Sequence, residues 1–156
     1  MIGSWVVQMV GIDRPGTVTA ITNVFSSRGV SFASLVTGSG PRDDGTAITM
    51  TFHATEARAR QLARTLSRLA QVDAVDLRTA DDEAVRATAV VLMPAGEGFQ
   101  PDRHATVSWS GEAELGQPVL VEGQLRQVEG VVADARRRGA VATAVVILPL
   151  ESYPVT

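Results

Sequence analysis

The order in which two hydrophobic periods alternate over residues 4–79 limits this chain to few folds. Trp5 to Ile12 is nearly continuously apolar and rich in valine, as an interior strand of a sheet is. Asp13-Arg14-Pro15-Gly16 interrupts it. Val18, Ile21, Val24 and Phe25 then recur at helical spacing until Gly29, placed where a left-handed cap ends a helix. Pro15 suits the first helical turn, where the amide it lacks has no intrahelical partner. Val30 to Thr37 resumes an extended pattern, and Gly38 to Gly45 is dense in turn formers and implies a hairpin. Beyond it Ile48, Met50 and Phe52 alternate with Thr49, Thr51 and His53, so one face meets a core and His53 points away from it. From Glu56 to Ala70 the residues Ala59, Leu62, Ala63, Leu66, Leu69 and Ala70 form one apolar stripe with arginines opposite, and Thr55 is placed to cap it. Val72 to Thr79 reads as a closing strand.

The predicted order over 4–79 is therefore βαββαβ, a split βαβ arrangement of the ferredoxin-like kind within an α+β protein, complete in itself over about 1–80. Val18, Ile21, Phe25, Leu62, Leu66 and Leu69 are expected to cover the face carrying Ile48, Met50 and Phe52. Asp81-Asp82-Glu83 marks the boundary. The remainder, 84–152, reads as a second and incomplete or permuted α/β unit. Its strands are Ala87 to Met93, Ala105 to Ser110 and Val141 to Leu148, and its helix runs through Val121, Leu125, Val128, Val132 and Ala135 to Arg136-Arg137-Arg138-Gly139. That order is ββαβ, with Val119 to Val121 either a further short strand or the helix start. Phe25-Ser26-Ser27-Arg28-Gly29 and Ala135-Arg136-Arg137-Arg138-Gly139 both end a helix at Arg-Gly, an echo too generic to define a repeat.

Composition removes several chemistries. With 45% hydrophobic and 20% charged residues in 156, the chain has material for a real core. A net charge of -3 argues against a general polyanion binder, so nucleic acid is not an expected partner. All 14 basic residues are arginine, which removes Schiff-base lysines and a phosphate-loop lysine. The absence of cysteine removes thiol nucleophiles, disulfides and thiolate metal sites. His53 and His104 are the only imidazoles, and no spacing joins either to a serine triad or to metal-ligating carboxylates. No stretch approaches the roughly 20 apolar residues of a membrane helix, and residues 1–8 lack a signal-peptide pattern. A soluble cytoplasmic protein with no catalytic centre, no metal and no cofactor is expected, with no membrane partner.

One motif stands out at the first strand-to-helix junction: Val10-Gly11-Ile12-Asp13-Arg14-Pro15-Gly16-Thr17-Val18, followed by Ser27-Arg28-Gly29-Val30-Ser31-Phe32. Together with the βαββαβ order, it resembles an ACT domain, the small-molecule sensing module. The similarity is to the Asp-Arg-Pro-Gly form found in glycine-cleavage-repressor-like proteins and covers about the first half of the chain. The resemblance implies a non-catalytic regulatory protein that binds a small carboxylate, an amino acid, and modulates a partner enzyme or regulator. It places the ligand where the loop Asp13, Arg14, Pro15, Gly16, Thr17 and Val18 meets Val30, Ser31 and Phe32 of a partner domain. Ser31 stands near where many members carry asparagine, and Thr17 replaces a commoner aliphatic residue, expected to make the pocket mouth more polar.

The residues alone support a similar reading. Backbone amides at a helix start favour an anion, so a carboxylate can dock against Gly16 and Thr17 while Asp13 meets an ammonium. The plainer reading is that Asp13 caps the helix and Pro15-Gly16 shapes the turn. Arg60, Arg64 and Arg68 form a ladder read as a solvated face, with Glu56 pairing with Arg60. Trp5 and Trp109 read as core or interface anchors. Val30 to Thr37 carries no charge to protect a strand edge, so side-by-side pairing is expected, between the halves or in a homodimer. The alternative function is an assembly subunit that uses this surface without a ligand.

Overall fold

The structure, a computed structural model, describes residues 1–149. The chain divides into two compact units, Met1–Ala80 and Asp81–Leu148. The last residues of the expected second unit, 150–152, lie outside the described residues.

The first unit runs β1 (Ile2–Ile12), α1 (Thr17–Ser27), β2 (Phe32–Ser39), β3 (Gly45–Thr55), α2 (Glu56–Ser67) and β4 (Val72–Thr79). Its antiparallel sheet has the order β2-β3-β1-β4, with β1 bonded on both sides. Alternation on β1 and β3 sends Trp5, Val7, Met9, Ile48, Met50 and Phe52 into one core, against Ile21, Val24 and Phe25 of α1 and Ala59, Leu62 and Leu66 of α2. Phe25 is its centre: fully buried, it meets Phe52 and Phe32 edge-on at centroid distances of 5.4 and 5.8 Å. The indole of Trp5 donates to the Ala54 carbonyl at 3.0 Å, which satisfies its one polar atom inside the core.

The βαββαβ order is as expected, with differences at element ends. Pro15 lies in the exposed turn before α1, because left-handed Gly16 (φ 94°) is the N-cap and the helix starts only at Thr17. Val18 is 38% exposed and takes no part in the core, since the helix turns that position outward. Leu69 lies past the end of α2 and packs only partly buried against the core. The second strand begins at Phe32, not Val30, because the Val30 amide is spent on the end of α1. It donates to the Phe25 carbonyl while Gly29 (φ 63°) donates to Ser26, a Schellman cap. Thr55 caps α2 by accepting from the Arg58 amide at 3.3 Å.

The second unit runs β5 (Arg86–Leu92), β6 (Val107–Ser110), a single 3-10 turn (Ala113–Leu115), β7 (Val119–Gln124), α3 (Leu125–Arg137) and β8 (Ala142–Ile147). Its order is βββαβ, the alternative in which Val119 to Val121 is a further strand: Val121 belongs to β7, whose alternation buries Val119, Val121 and Gly123, and the helix starts at Leu125. The strand expected from Ala105 starts at Val107. The sheet order β6-β7-β5-β8 repeats that of the first unit strand for strand. What is missing is the first helix, whose place in the chain is taken by the non-helical stretch 93–106. Met93, Phe99 and Pro101 bury themselves from that stretch, and the Arg138 guanidinium lies 5.7 Å from the Phe99 ring centroid. The Arg-Gly echo proves to be one Schellman cap used twice, at Gly29 and Gly139, on helices that occupy different places in the two units.

Two substitutions of opposite sign test this packing by denaturant unfolding. Phe25→Ala is expected to cost about 3–5 kcal/mol, the loss typical of a fully buried phenylalanine. Gly130→Ala, inside α3 with open space where a Cβ would stand, is expected to stabilise the second unit by about 0.5–1 kcal/mol.

Candidate functional site

The Asp13–Val18 loop is held by backbone bonds at its base. The Ile12 amide donates to the Gln71 carbonyl at 3.0 Å and the Asp13 amide to the Asp44 carbonyl at 2.8 Å. Gly11 makes the first of these approaches possible, because a Cβ there would stand 2.3 Å from the Gln71 oxygen. The second ties the loop to the β2–β3 turn, which Arg42 stiffens by pairing with Asp44 (3.2 Å) and Asp73 (3.4 Å). On the helix side, Thr17 is buried and its hydroxyl donates to the Ile12 carbonyl at 2.8 Å, closing the loop on itself. Its amide is turned toward the Arg14 carbonyl at 3.3 Å.

This corrects two expectations. The Thr17 hydroxyl does not make the mouth more polar, since it is spent inside the loop. Asp13 does not cap the helix, because the N-cap is Gly16 and no side chain bonds to the first turn. The first turn of α1 also carries no acidic residue, so the positive end of the helix dipole is uncompensated. Val18 and Thr19, second and third in the helix, have amides without intrahelical acceptors. Nothing lies within 4 Å of the position a Gly16 side chain would take. Asp13, Arg14, Pro15, Gly16 and Val18 are all exposed around this open helix start.

The other half of the expected site is elsewhere. Val30 is a buried core residue, Ser31 is exposed, and Phe32 is 41% exposed with its ring edge against Phe25. They follow the far end of α1, so the length of an 11-residue helix, about 16 Å, separates them from Gly16 within one unit. The structure therefore brings the loop residues together and does not bring Val30, Ser31 and Phe32 to them inside the unit.

The remaining candidates resolve plainly. Glu56 holds Arg60 through two hydrogen bonds to one oxygen, at 2.7 and 2.9 Å, on a solvated helix face. His53 and His104 are exposed, and no group of three or more metal-ligating side chains occurs among the described residues. No helix of the described residues is long and apolar enough to cross a membrane. Asp81 hydrogen-bonds the Arg126 guanidinium at 2.8 Å and holds its pKa above the ordinary value, far along the chain from the loop. Asp44 and Gln71, which anchor the loop, escaped the sequence reading. The signal for the second was Gly11, a glycine inside an apolar strand, which marks a bulge or a close backbone approach. The β1–β4 register does shift at Val10/Gly11.

No protein-family model and no curated protein sequence matches the chain. The solved structure of the acetolactate synthase small subunit from Thermotoga maritima is similar, at 15% identity and a TM-score of 0.64, covering 93% of this chain and 96% of that one. The regulatory subunit of aspartate kinase from Thermus thermophilus aligns at 13% identity and a TM-score of 0.47 over 88% and 95% of the two chains. A putative glycine cleavage system transcriptional repressor aligns at 10% and 0.43 over 95% and 98%. The resemblance to ACT domains read from the loop and element order holds at the level of the fold, and the second unit is ACT-like with one helix absent.

The loop's closure can be tested directly. Thr17→Val leaves the part-buried Ile12 carbonyl without the Thr17 hydroxyl and is expected to cost about 1 kcal/mol in denaturant unfolding. Thr17→Ser, which keeps the hydroxyl, is expected to recover most of that loss.

Proposed function

We propose that the chain is a non-catalytic regulatory subunit that binds a small amino acid at the start of α1 and passes the signal to a separate enzyme or regulator. The observation that carries this reading is the uncapped helix start: amides of Val18 and Thr19 without acceptors, an uncompensated dipole, and open space at Gly16. A carboxylate satisfies those amides, and Asp13 at the same mouth supplies the charge that an ammonium needs. Arg14, Pro15 and Val18 flank the ligand. The acetolactate synthase small subunit, similar in fold over nearly its whole length, supports the partner-enzyme part of the reading.

The second half of the site comes, on this proposal, from another copy. The edges of the first sheet are β2 and β4, and β4 is protected by Asp73, Asp76 and Arg78 while β2 carries no charge. The end of β2 at Ser39 lies level with Thr46 and Gly11, at the same end of the sheet as the loop. If two β2 strands pair antiparallel about a two-fold axis, the start of one lies beside the end of the other. Ser31 and Phe32 of each copy then face the helix start of its neighbour, with Val30 supplying backbone only. The protein is thus a homodimer in this reading, working in the cytoplasm without nucleic acid.

A thermal-shift screen of the twenty amino acids tests it. A ligand present at a hundredfold its Kd stabilises the fold by about 2.7 kcal/mol. Asp13→Ala removes a charged contact of roughly 1.5–3 kcal/mol, so binding is expected to weaken at least tenfold. Asp13 caps nothing, so this variant alone is expected to keep wild-type stability without ligand. Absence of any shift at millimolar concentration overturns the sensor reading and leaves β2 as an assembly edge.

A further inference from the structure

The second unit carries a cleft of its own, remote in the chain from the Asp13–Val18 loop. Its walls are Phe99 and Gln100 of the non-helical stretch, Trp109 of β6, and Glu112, Glu114 and Leu115 of the turn that follows, and its volume is about 270 Å³. Trp109 stands opposite Val121 in the β6–β7 register, so its side chain leaves the sheet on the face that buries Val121. In the first unit the helix ahead of the edge strand meets that strand through Phe25 and Phe32. No helix precedes β6, and Trp109 is left 43% exposed, with Leu115 of the same cleft at 70%.

Both charged side chains of this lining are carboxylates. Asp81, Glu122, Glu129 and Asp134 of the same unit all pair with arginine, whereas the carboxylates of Glu112 and Glu114 make no hydrogen bond or ion pair among the described residues. Glu114 is also held against the wall: a Cβ on Gly98 would stand 2.6 Å from its Oε1 and 3.1 Å from its Cγ, so glycine at 98 admits this carboxylate beside the backbone. The Arg138 guanidinium near the Phe99 ring is bonded to Asp134 and is not part of the lining. The two glutamates therefore share the cleft with an exposed indole and with no cation of the described residues.

This combination selects the occupant. An indole attracts a cation through its ring quadrupole, and unpaired carboxylates attract it by charge and accept its hydrogen bonds. A bare metal ion is poorly served, because a hard cation such as calcium takes about 6–8 oxygen ligands and an indole wall supplies none. Sites for drug-sized ligands run from roughly 300 to 1,000 Å³, so a cleft of this volume suits a smaller molecule. We infer that it binds a small organic cation, an ammonium or guanidinium on an apolar body, with Glu112 and Glu114 holding the charge and Trp109 and Leu115 meeting the body. It is a second ligand site, opposite in charge preference to the start of α1 and independent of it.

Phenethylammonium is the probe and 2-phenylethanol its uncharged counterpart. Neither has a carboxylate to offer the start of α1, so the outcome stands apart from the proposed function. The chain has two tryptophans, so the nitrogen-15 spectrum of the full-length chain holds two indole N–H signals, and Trp109→Phe identifies which is which. Millimolar phenethylammonium is expected to move the Trp109 signal saturably and to leave that of Trp5, bonded to the Ala54 carbonyl inside the first core, in place. The double variant Glu112→Gln/Glu114→Gln keeps the size of two exposed side chains and is expected to bind the probe at least about tenfold more weakly, with the rest of its spectrum unchanged. The alcohol is expected to bind wild type more weakly by a similar factor. An unmoved Trp109 signal, equal binding of the alcohol, or undiminished binding by the double variant each overturns the inference.

Discussion

The close backbone approach at Gly11 governs the first unit. β1 runs between β3 and β4 as one long strand, and its end is set where Gly11 lets the Gln71 carbonyl reach the Ile12 amide. With Ile12 held, the Asp13 amide meets Asp44 and the Ile12 carbonyl receives the Thr17 hydroxyl. The chain must then reverse within Arg14-Pro15-Gly16, and only a residue tolerant of φ 94° can start the helix there. The open helix start is therefore a consequence of sheet geometry, since no side chain occupies the first turn and nothing fills the space around Gly16. A loop fixed at its base and empty at its tip is suited to a ligand that brings its own negative charge.

The second unit shows how much of this architecture survives the loss of a helix. Its strands keep the same spatial order, and α3 buries Leu125, Val128, Val131, Val132 and Ala135 against them. Without a counterpart to α1, no helix start exists to repeat the first unit's site. Phe99 and Pro101, in the non-helical stretch that stands there in the chain, are buried. The unit differs further at its edges: β6 and β8 both lack charge, whereas β4 of the first unit carries Asp73, Asp76 and Arg78. The two units share a strand order, and only the first carries a helix start after its first strand.

The sequence was legible where periodicity and punctuation agree. Ile48, Met50 and Phe52 alternate cleanly, Thr55 opens a well-formed stripe, and Gly29 terminates α1 by the cap its position implies, so the βαββαβ order followed directly. Element ends were less legible because they depend on bonds to distant residues. Pro15 has the conformation of a first helical turn, yet Gly16 displaces the start by one residue, and the Val30 amide is claimed by Phe25. In the second half, Val119 and Val121 satisfy both a strand and a helix pattern, and only pairing with β5 decides between them. At the site, the loop was visible from its motif, while its anchors Asp44 and Gln71 act through backbone carbonyls that side-chain identity does not reveal.

The central claim is that the start of α1 receives the carboxylate of an amino acid. Amide chemical shifts of the uniformly nitrogen-15-labelled chain, followed through a titration with the amino acid that most raises its melting temperature, examine that claim most directly. The account requires the Gly16, Val18 and Thr19 amides to move together and saturably, in wild type and much less in Asp13→Ala. Saturable shifts that leave those three amides unmoved and fall elsewhere in the chain would contradict it.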